Sequence, residues 1–442
     1  MANIYSVSLG CPKNRVDTER LLASIPNMTV VESMDAADCV IINTCAFIDP
    51  AIRESVSVIA ESIVDAGDLR PKPLLAVAGC LVGRYGAAEL APELPEVDLW
   101  LDNRALDSWP ETLRAAMAAH GIDVSGQCAG TRFLSTGPSY AWLKISDGCD
   151  HTCSFCTIPF IRGKFHSTPQ DVLVREAAEL LGLGARELIL VAQDTTAWGK
   201  DLPKDLPGEK GLMALMERLL PLKGLDWLRI LYMYPAGLSR EFLTFLRDVG
   251  RPFVPYFDVP VQHAHPDVLA RMGRPFARDP EKALDRVREF FPEAALRTSI
   301  IVGFPGETDA HFKTLYDFVE RTRFLHLGVF AYQAEAGTAA AAMPDQVPDA
   351  VKEERRAALM ELQAGTSEEL LEDFVGESMD ILVDAPHPEW PGLFTGRAWF
   401  QAPEIDGLTY ISGPGVAAGR MVRADIVESR VYDLVGLAEP EE

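Results

Sequence analysis

The first part of the chain alternates short apolar runs with amphipathic segments. The runs are "IYSVSL", "DCVIIN" and "PLLAVAG", and the segments between them, "RVDTERLLASI" and "AIRESVSVIAESIVDA", have helical spacing of apolar residues. Short apolar runs that alternate with helices are typical of a parallel α/β sheet. We therefore predict an amino-terminal α/β domain over residues 1–125, separated from the next unit by a polar stretch with Gly and Pro.

The middle of the chain repeats the strand and helix pattern six times. Its apolar runs are "YAWLKIS", "ELILVAQ", "DWLRILYMY", "YFDVPVQ", "ALRTSIIVGF" and "FLHLGVFAY". Six βα units predict a barrel-like wall that stops short of closure, a partial (β/α)6 barrel over residues 135–366. In such folds the working residues lie in the loops after the carboxyl ends of the strands. We expect a charged, Ala- and Leu-rich helix at 350–374 to brace this wall.

After about residue 375 the pattern changes to β runs with Gly and Pro turns: "MDILVDAP", "LFTGRAWFQ", "LTYISG" and "MVRADIVESRVYDLVG". This pattern predicts a small antiparallel β-barrel over residues 369–438. The predicted fold class is an α/β multidomain protein with a parallel sheet domain, a partial barrel and a terminal β-barrel.

The composition of the chain also indicates its cellular compartment. Apolar residues make up 48% and charged residues 24% of 442 residues, which is ordinary for a globular protein. The sequence has neither an apolar run near the roughly 18 residues of a membrane span nor a signal-peptide pattern at its start. We expect a cytoplasmic protein without membrane contact, whose eight cysteines are thiols or metal ligands.

The charge is strongly acidic, with 41 Lys and Arg against 65 Asp and Glu and a formal net charge of -24. Binding to nucleic acid usually requires basic patches that neutralise phosphates, so a basic protein is a better partner than an RNA. Acidity that only keeps the protein soluble is the alternative explanation.

Three cysteines follow the first strand of the predicted wall in "DGCDHTCSFC": Cys149, Cys153 and Cys156. Thiolates select zinc or iron–sulfur clusters, and a structural zinc site normally has four protein ligands. Three cysteines suit a 4Fe-4S cluster whose fourth iron binds a ligand from outside the protein. The alternative is a zinc site with His151 or His166 as the fourth ligand.

A second trio consists of Cys11, Cys45 and Cys80, each placed where a predicted parallel strand ends. Because ligands of open α/β sheets bind beyond the carboxyl ends of the strands, these cysteines are expected to converge on a second cluster. Three unrelated buried thiols are the alternative. We interpret Cys39 and Cys128, which have no such placement, as structural or incidental.

The pattern CxxxCxxC after the first strand of six βα units resembles the radical S-adenosylmethionine superfamily. The three-part layout with two cysteine trios is similar to the methylthiotransferases of that superfamily, whose terminal β-barrel is of the TRAM type. The segments "SLGCPKNRVDTE", "GCDHTCSFCTIPFIRGK", "VAQDTT", "DVPVQH", "RTSIIVGFPGET" and "VYDLVG" resemble the branch that modifies an aspartate of ribosomal protein S12. The tRNA-modifying branch typically has "GCQMN" where this chain has "GCPKN" at 10–14.

This resemblance implies two 4Fe-4S clusters and S-adenosylmethionine as cofactors. Cys149, Cys153 and Cys156 would hold the radical cluster, whose open iron chelates S-adenosylmethionine, and the other trio would hold an auxiliary cluster that carries the sulfur to be inserted. The implied reaction is the attachment of a methylthio group to the β-carbon of the aspartate.

The resemblance also suggests residues that bind S-adenosylmethionine. We predict that Phe155 packs near the adenine and that Gln193, Asp194 and Thr195, at the end of the second strand, contact the methionine part. Arg297 is expected to pair with the methionine carboxylate, with a structural ion pair as the alternative. Gly303 and Gly306 are interpreted as turn residues.

The implied partners are ribosomal protein S12, free or in the small ribosomal subunit, and a reductant protein, with the enzyme as a monomer. From residue 370 onward fourteen acidic residues face only four Arg and no Lys, so this domain would repel tRNA and attract a basic protein. Gln333 stands where relatives commonly have Ser. The remaining alternatives are a tRNA adenosine methylthiotransferase and a non-catalytic zinc or iron–sulfur electron carrier.

Overall fold

The computed structural model describes residues 2–128, 130–203, 211–274 and 279–440. Met1, the first residue of the predicted amino-terminal domain, lies outside this part, as do Glu441 and Glu442 of the acidic carboxyl-terminal segment. None of the helices described is both long and apolar enough to cross a membrane.

The amino-terminal part is a five-stranded parallel sheet with strand order β2-β1-β3-β4-β5. Its strands are β1 (Ala2–Ser8), β2 (Met28–Val30), β3 (Cys39–Thr44), β4 (Leu74–Gly79) and β5 (Leu99–Asp102). Its helices are α1 (Pro12–Ala23), α2 (Asp49–Asp68), α3 (Cys80–Tyr85), α4 (Ala87–Leu90) and α5 (Trp109–Ala119). Every residue of β3 and β4 is buried, as expected for strands covered by helices on both faces.

The edge strands β2 and β5 were absent from the predicted set of apolar runs. β2 has three residues and an exposed end, and β5 has four residues, so neither gives a strong periodic signal. The three predicted strands are the inner β1, β3 and β4, where burial on both faces makes the sequence most apolar.

The central part is a wall of six strands in two three-stranded parallel sheets, β6-β9-β10 and β11-β12-β13. Backbone hydrogen bonds and an isolated parallel bridge between Leu228 and Phe253 join the two sheets. The wall strands are β6 (Tyr140–Lys144), β9 (Glu187–Val191), β10 (Trp227–Ile230), β11 (Tyr256–Asp258), β12 (Ala295–Val302) and β13 (His326–Ala331), and a small pair is formed by β7 (Ser146–Asp147) and β8 (His166–Ser167).

Helices cover the outer face of this wall and form the largest apolar core with it. Two short helices, α6 (Ile158–Arg162) and α10 (Pro266–Arg271), contribute to smaller apolar clusters. The helices of the main core are α7 (Gln170–Gly182), α8 (Leu212–Leu219), α9 (Arg240–Val249), α11 (Pro280–Phe290), α12 (Asp309–Thr322) and α13 (Asp349–Glu372). The last of these packs on β13 and β12, so the predicted bracing helix is confirmed.

The carboxyl-terminal part is a closed five-stranded barrel with the order β14-β15-β16-β18-β17. Its strands are β14 (Ser378–Pro386), β15 (Leu393–Arg397), β16 (Thr409–Ser412), β17 (Met421–Ser429) and β18 (Leu434–Ala438). The pairing is antiparallel except between β16 and β18, which are parallel. The predicted fold class is confirmed, with this one parallel pair as a departure from a purely antiparallel barrel.

The three parts pack tightly against one another. The inner face of the wall, including Trp142 and Tyr256, shares an apolar core with the terminal barrel. Helix α1 lies between the amino-terminal sheet and the wall, so its polar residues are buried. The polar stretch predicted as a separator is anchored by Arg132, whose buried guanidinium pairs with Glu19 and Glu176.

Candidate functional site

The register of the amino-terminal sheet brings the trio of Cys11, Cys45 and Cys80 to one edge. Thr44 pairs with Gly79 at the ends of β3 and β4, so Cys45 and Cys80, the next residues, leave the sheet side by side. Cys11 precedes the first residue of α1, which follows the neighbouring strand β1.

Asn14, in the first turn of α1, contacts the chain at all three cysteine positions. Its backbone N–H donates to the carbonyl of Cys11 at 2.9 Å. Its side-chain Nδ2 donates to the carbonyl of Thr44, next to Cys45, at 2.9 Å, and its Oδ1 lies 3.6 Å from the sulfur of Cys80. One side chain of the "GCPKN" segment therefore ties the ends of three strands together.

The thiols of this trio affect one another electrostatically. Burial raises the pKa of Cys45 to about 12, and the nearby Cys80 and Cys11 raise it further. Burial also raises the pKa of Cys80, against the opposing effect of Arg162. At Cys11 burial acts in the same direction, but Lys13 and Arg162 outweigh it and lower the pKa. A metal that binds here must displace protons from the two high-pKa thiols.

The other trio, Cys149, Cys153 and Cys156, lies on the loop between β7 and α6. Ser154 in this loop donates its backbone N–H to Met272 at 3.0 Å and accepts the N–H of Ala340 at 2.8 Å. Gly148 and Gly273 both have positive φ, and a Cβ at Gly273 would lie 2.6 Å from the carbonyl oxygen of Thr152. The loop is thus held by backbone contacts that only glycine permits.

Burial raises the pKa of all three thiols of this loop, and neighbouring thiols add to the rise at Cys149 and Cys156. Burial raises the pKa of Cys156 to about 12, with further contributions from Cys153 and Cys149. Burial raises the pKa of Cys149 to about 11. The guanidinium of Arg274 opposes the rise at Cys153 through charge and a hydrogen bond. Arg274 was not among the predicted residues, since it lies more than a hundred positions along the chain.

The histidines considered as zinc ligands have other contacts. His151 Nε2 lies 2.8 Å from a carboxylate oxygen of Asp194, and its ring stacks on Tyr234 with centroids 4.2 Å apart. Burial raises the pKa of Asp194, but the hydrogen bonds from His151 and Thr196 lower it by more, so the carboxylate is ionised. His166 is exposed and lies near the carbonyl of Lys164.

The residues predicted to contact S-adenosylmethionine lie in different surroundings. Gln193 donates to Asp147 at 3.3 Å, while its buried Oε1 has no protein partner among the described residues. Thr195 is fully buried and donates to the carbonyl of Leu231 at 2.8 Å. Phe155 packs against a small apolar cluster that includes Met272.

Arg297, on β12, pairs with Asp258 at 2.9 Å and lies 3.5 Å from Asp406 of the terminal barrel. These contacts correspond to the structural ion pair that the sequence left open as an alternative, and a role of Arg297 with S-adenosylmethionine stays a prediction. Gly303 and Gly306 have positive φ, which confirms their interpretation as turn residues.

Helix α6 separates the two trios. It begins shortly after Cys156 and ends at Arg162, whose Nη2 lies 3.8 Å from the sulfur of Cys80. It approaches α3 closely because Gly83 has no side chain: a Cβ there would lie 2.6 Å from the carbonyl oxygen of Ile161. Arg162 and Asn14 were in segments quoted for the resemblance, yet sequence spacing gave no sign that they meet at Cys80.

The cysteine trios fit clusters better than a single ion. A zinc ion with Zn–S bonds of about 2.3 Å needs sulfurs about 4 Å apart. Within the described ranges, the one set of three ligand atoms all within 4.8 Å of one another is His265, Asp267 and His311, and neither trio qualifies. Three neighbouring thiols with wider spacing suit a larger iron–sulfur group.

The side chains of this histidine set have roles in capping helices. His265 Nδ1 accepts the backbone N–H of Asp267, and His311 Nδ1 accepts that of Thr308. Both Nδ1 atoms therefore satisfy backbone donors at the starts of α10 and α12.

Three family models match the chain in order. Residues 3–102 match the family described as uncharacterized protein family UPF0004, residues 143–319 match the radical SAM superfamily, and residues 375–438 match the TRAM domain.

Full-length relatives are similar along the entire chain. The ribosomal protein uS12 methylthiotransferase RimO of Nitratidesulfovibrio vulgaris is 64% identical over 99% of this chain and 100% of its own length. Proteins of the same name from Oleidesulfovibrio alaskensis and Syntrophus aciditrophicus are 62% and 43% identical, over 99% and 98% of this chain and 100% and 97% of their own lengths.

A solved structure has a similar fold. The radical S-adenosylmethionine methyltransferase TsrM of Kitasatospora setae, with tryptophan substrate and a SAM analog bound, superposes with a TM-score of 0.54. The superposition covers 92% of this chain and 80% of TsrM at 13% identity, so the likeness extends to the fold alone.

Proposed function

The chain belongs to the ribosomal protein uS12 methylthiotransferases, and we propose that it attaches a methylthio group to the β-carbon of an aspartate of that protein, using two 4Fe-4S clusters held by its two cysteine trios. It is a transferase of the radical SAM superfamily, which implies one 4Fe-4S cluster and S-adenosylmethionine. The second cluster, the aspartate β-carbon and the division of labour between the trios belong to the proposal.

The observation that carries the proposal is the presence of two sites with three neighbouring thiols each, linked by α6, which begins just after Cys156 and ends at Arg162 beside Cys80. When bound, a cluster with one iron free of protein ligands supplies the electron and the coordination site for cleavage of S-adenosylmethionine. The residues of each site hold the ligands rigidly. Gly148 and Gly273 shape the loop of the radical site, and Asn14 fixes the three strand ends of the auxiliary site.

The loop after the second wall strand supplies polar groups beside the radical site. The buried Oε1 of Gln193 has no hydrogen-bond partner among the described residues, which suits an acceptor for the ammonium group of S-adenosylmethionine. The carboxylate of Asp194 orients His151, whose ring stacks on Tyr234. This pair would form one side of the cofactor pocket. Phe155, Thr195 and Arg297 remain predicted contacts.

The terminal barrel is proposed to attract the substrate protein through its charge. Glu372, Glu377, Glu389 and Glu439 are exposed on or beside this domain. A negative surface raises the association rate of a basic partner in a salt-dependent way and repels RNA phosphates. We therefore propose a basic protein as the ligand of the barrel, in the cytoplasm where such a substrate is made.

Anaerobic reconstitution with iron, sulfide and S-adenosylmethionine, followed by mass analysis, tests the proposed function. A peptide of ribosomal protein uS12 should gain one methylthio group in place of a hydrogen, and fragmentation should place it on an aspartate. Modification of tRNA adenosine in place of the peptide would contradict the proposal, as would a protein that binds stoichiometric zinc.

A further inference from the structure

We propose that Arg162 and Asn103 are positioning residues that donate hydrogen bonds to the Cys80 thiolate and thereby set the reduction potential of the auxiliary cluster. This inference rests on the proposed function, because it assumes that Cys80 is a cluster ligand. It adds a physical reason for the different behaviour of two clusters that each have three cysteines.

The sulfur of Cys80 lies near two nitrogen donors and, at 3.6 Å, near Oδ1 of Asn14. Asn103 Nδ2 is 3.6 Å from the sulfur, and Arg162 Nη2 is 3.8 Å from it, both within reach of a hydrogen bond to sulfur. Asn103 is 3% exposed, and its Oδ1 has no protein partner among the described residues. The Nδ2 group of Asn103 therefore faces the sulfur of Cys80.

The other two cysteines of the trio are in different surroundings. The backbone N–H groups of Asn14 and Lys13 help to lower the pKa of Cys11, and that of Phe47 acts in the same direction at Cys45. Cys80 is the member of the trio to which two side chains donate. Substitution of Asn103 or Arg162 therefore changes the surroundings of Cys80 alone and leaves the backbone donors near the other two cysteines in place.

Arg162 is fixed so that it cannot turn away from Cys80. Its Nη1 donates to Asp147 at 2.8 Å and to Asp17 at 3.2 Å, and Lys144 pairs with both carboxylates. All four charged side chains are buried. The planar fork of the guanidinium leaves Nη2 for Cys80 and Asn14, a division that a single ammonium group cannot reproduce.

The same carboxylates connect Arg162 with the radical site. Asp147 precedes Gly148 and Cys149 in the chain, and it accepts a hydrogen bond from Gln193 at 3.3 Å. Arg162 thus touches a ligand of one trio and, through Asp147, the loop that carries the other. It holds the two sites in a fixed relation across α6.

Hydrogen bonds to the sulfurs of a cluster draw negative charge away from it and make reduction easier. Removal of either donor is therefore expected to shift the potential of the auxiliary cluster to more negative values. The radical cluster has its own arginine, Arg274 at Cys153, and should be unaffected.

The test is a redox titration of the reconstituted full chain, followed by EPR, for the parent and for Asn103→Leu, Arg162→Lys and Arg229→Lys. Asn103→Leu removes a donor at similar size without a change of charge. Arg229→Lys is the matched control, since Arg229 is fully buried and paired with Glu187 at 2.6 Å, away from both trios. A variant with Ala at positions 149, 153 and 156 should lack the radical cluster, so its remaining EPR signal identifies that of the auxiliary cluster.

Asn103→Leu and Arg162→Lys should each shift the reduction potential of the auxiliary cluster to more negative values and leave that of the radical cluster equal to the parent's. Arg229→Lys should leave the potentials of both clusters unchanged. Equal auxiliary potentials in the parent and in Asn103→Leu would overturn the inference, even if Arg162→Lys failed to fold. A parent chain with about four irons in place of about eight would refute the two-cluster function itself, and the inference with it.

Discussion

Glu335 and Arg84 form a buried ion pair, 2.9 Å between Oε2 and Nη2, that joins the loop after the last wall strand to α3 of the amino-terminal sheet. The other oxygen of Glu335 accepts the backbone N–H of Asp49 at the start of α2, and Arg84 also donates to the carbonyl of Ala46. Since Ala46 follows Cys45, this pair fixes one proposed cluster ligand relative to the wall that carries Cys149, Cys153 and Cys156.

Glu335→Ala should lower methylthio transfer without lowering the cleavage of S-adenosylmethionine. It leaves Arg84 buried with an unpaired charge and α2 without its cap, at an expected loss of about 3 kcal/mol in the free energy of unfolding. Displacement of the Cys45 loop should lower methylthio transfer about tenfold or more while cleavage of S-adenosylmethionine stays near that of the parent. The ratio of 5'-deoxyadenosine to modified peptide measures this. The exposed Glu93 provides the control variant Glu93→Ala, and equal ratios in both variants would refute the coupling.

Gly273→Ala should affect the radical site alone. A methyl group at this position would lie 2.6 Å from the carbonyl oxygen of Thr152, within the loop of Cys149, Cys153 and Cys156. Gly224→Ala is the matched control, because Gly224 also has positive φ but no atom within 4 Å of the added carbon. Gly224→Ala should lose only about 1 kcal/mol of stability and keep its iron. If Gly273→Ala cleaves S-adenosylmethionine at the parent rate, the close contact does not shape the site.

His326 should make the packing of the terminal barrel sensitive to mild acid. It donates from Nε2 to the carbonyl of Phe400 in this barrel at 2.6 Å. Burial lowers the pKa of His326, and Arg297 and Arg229 lower it further against the opposing charge of Asp406. In the unfolded chain the pKa is about 6.5, so below that pH the unfolded state binds a proton that the folded state does not.

The contribution of His326 is therefore complete well above pH 6.5 and is lost as the pH falls below about 6.5, the pKa in the unfolded chain. The expected loss is about 1 kcal/mol relative to His326→Gln, which keeps an N–H donor but does not titrate. Thermal unfolding of both proteins between about pH 7.5 and 5.5 measures the difference. Parallel pH profiles would show that His326 takes up a proton in the folded state as readily as in the unfolded one.

Reversal of charge on the terminal barrel should weaken substrate binding. Glu372→Lys, Glu377→Lys and Glu389→Lys together change exposed acidic residues at this end of the chain. The association rate with ribosomal protein uS12 should fall by about tenfold at low salt and by less at high salt. The control reverses three exposed acidic residues of α2, Glu54, Glu61 and Asp65. Equal rates for the two triple variants would locate the binding surface elsewhere.

Sequence periodicity was sufficient to predict the inner strands and the edge of the sheet where Cys11, Cys45 and Cys80 lie. Strands buried on both faces are continuous apolar runs, and the carboxyl ends of parallel strands lie at one edge, so Cys45 and Cys80 could be placed from the pattern alone. The short edge strands β2 and β5 lacked this signal, because each has only three or four residues.

Contacts between domains could not be predicted from one sequence. Arg162 meets Cys80 across 82 positions, and Glu335 meets Arg84 across 251. Helix α1 shows the same limit: its polar residues would suggest a solvent-exposed face, yet Asp17 is buried against Lys144 of the wall. A charged residue gives no sign in the sequence of whether its partner is water or another domain.

The division of labour between the trios is the central claim, and iron analysis with Mössbauer spectroscopy of single-cysteine variants tests it most directly. The parent should hold about eight irons, and each Ala variant of either trio should fall to about four, with Cys128→Ala as the exposed control at eight. Variants of Cys149, Cys153 or Cys156 should lose cleavage of S-adenosylmethionine, whereas those of Cys11, Cys45 or Cys80 should keep it and lose methylthio transfer. Methylthio product from any of the six variants, or about four irons in the parent, would contradict the account.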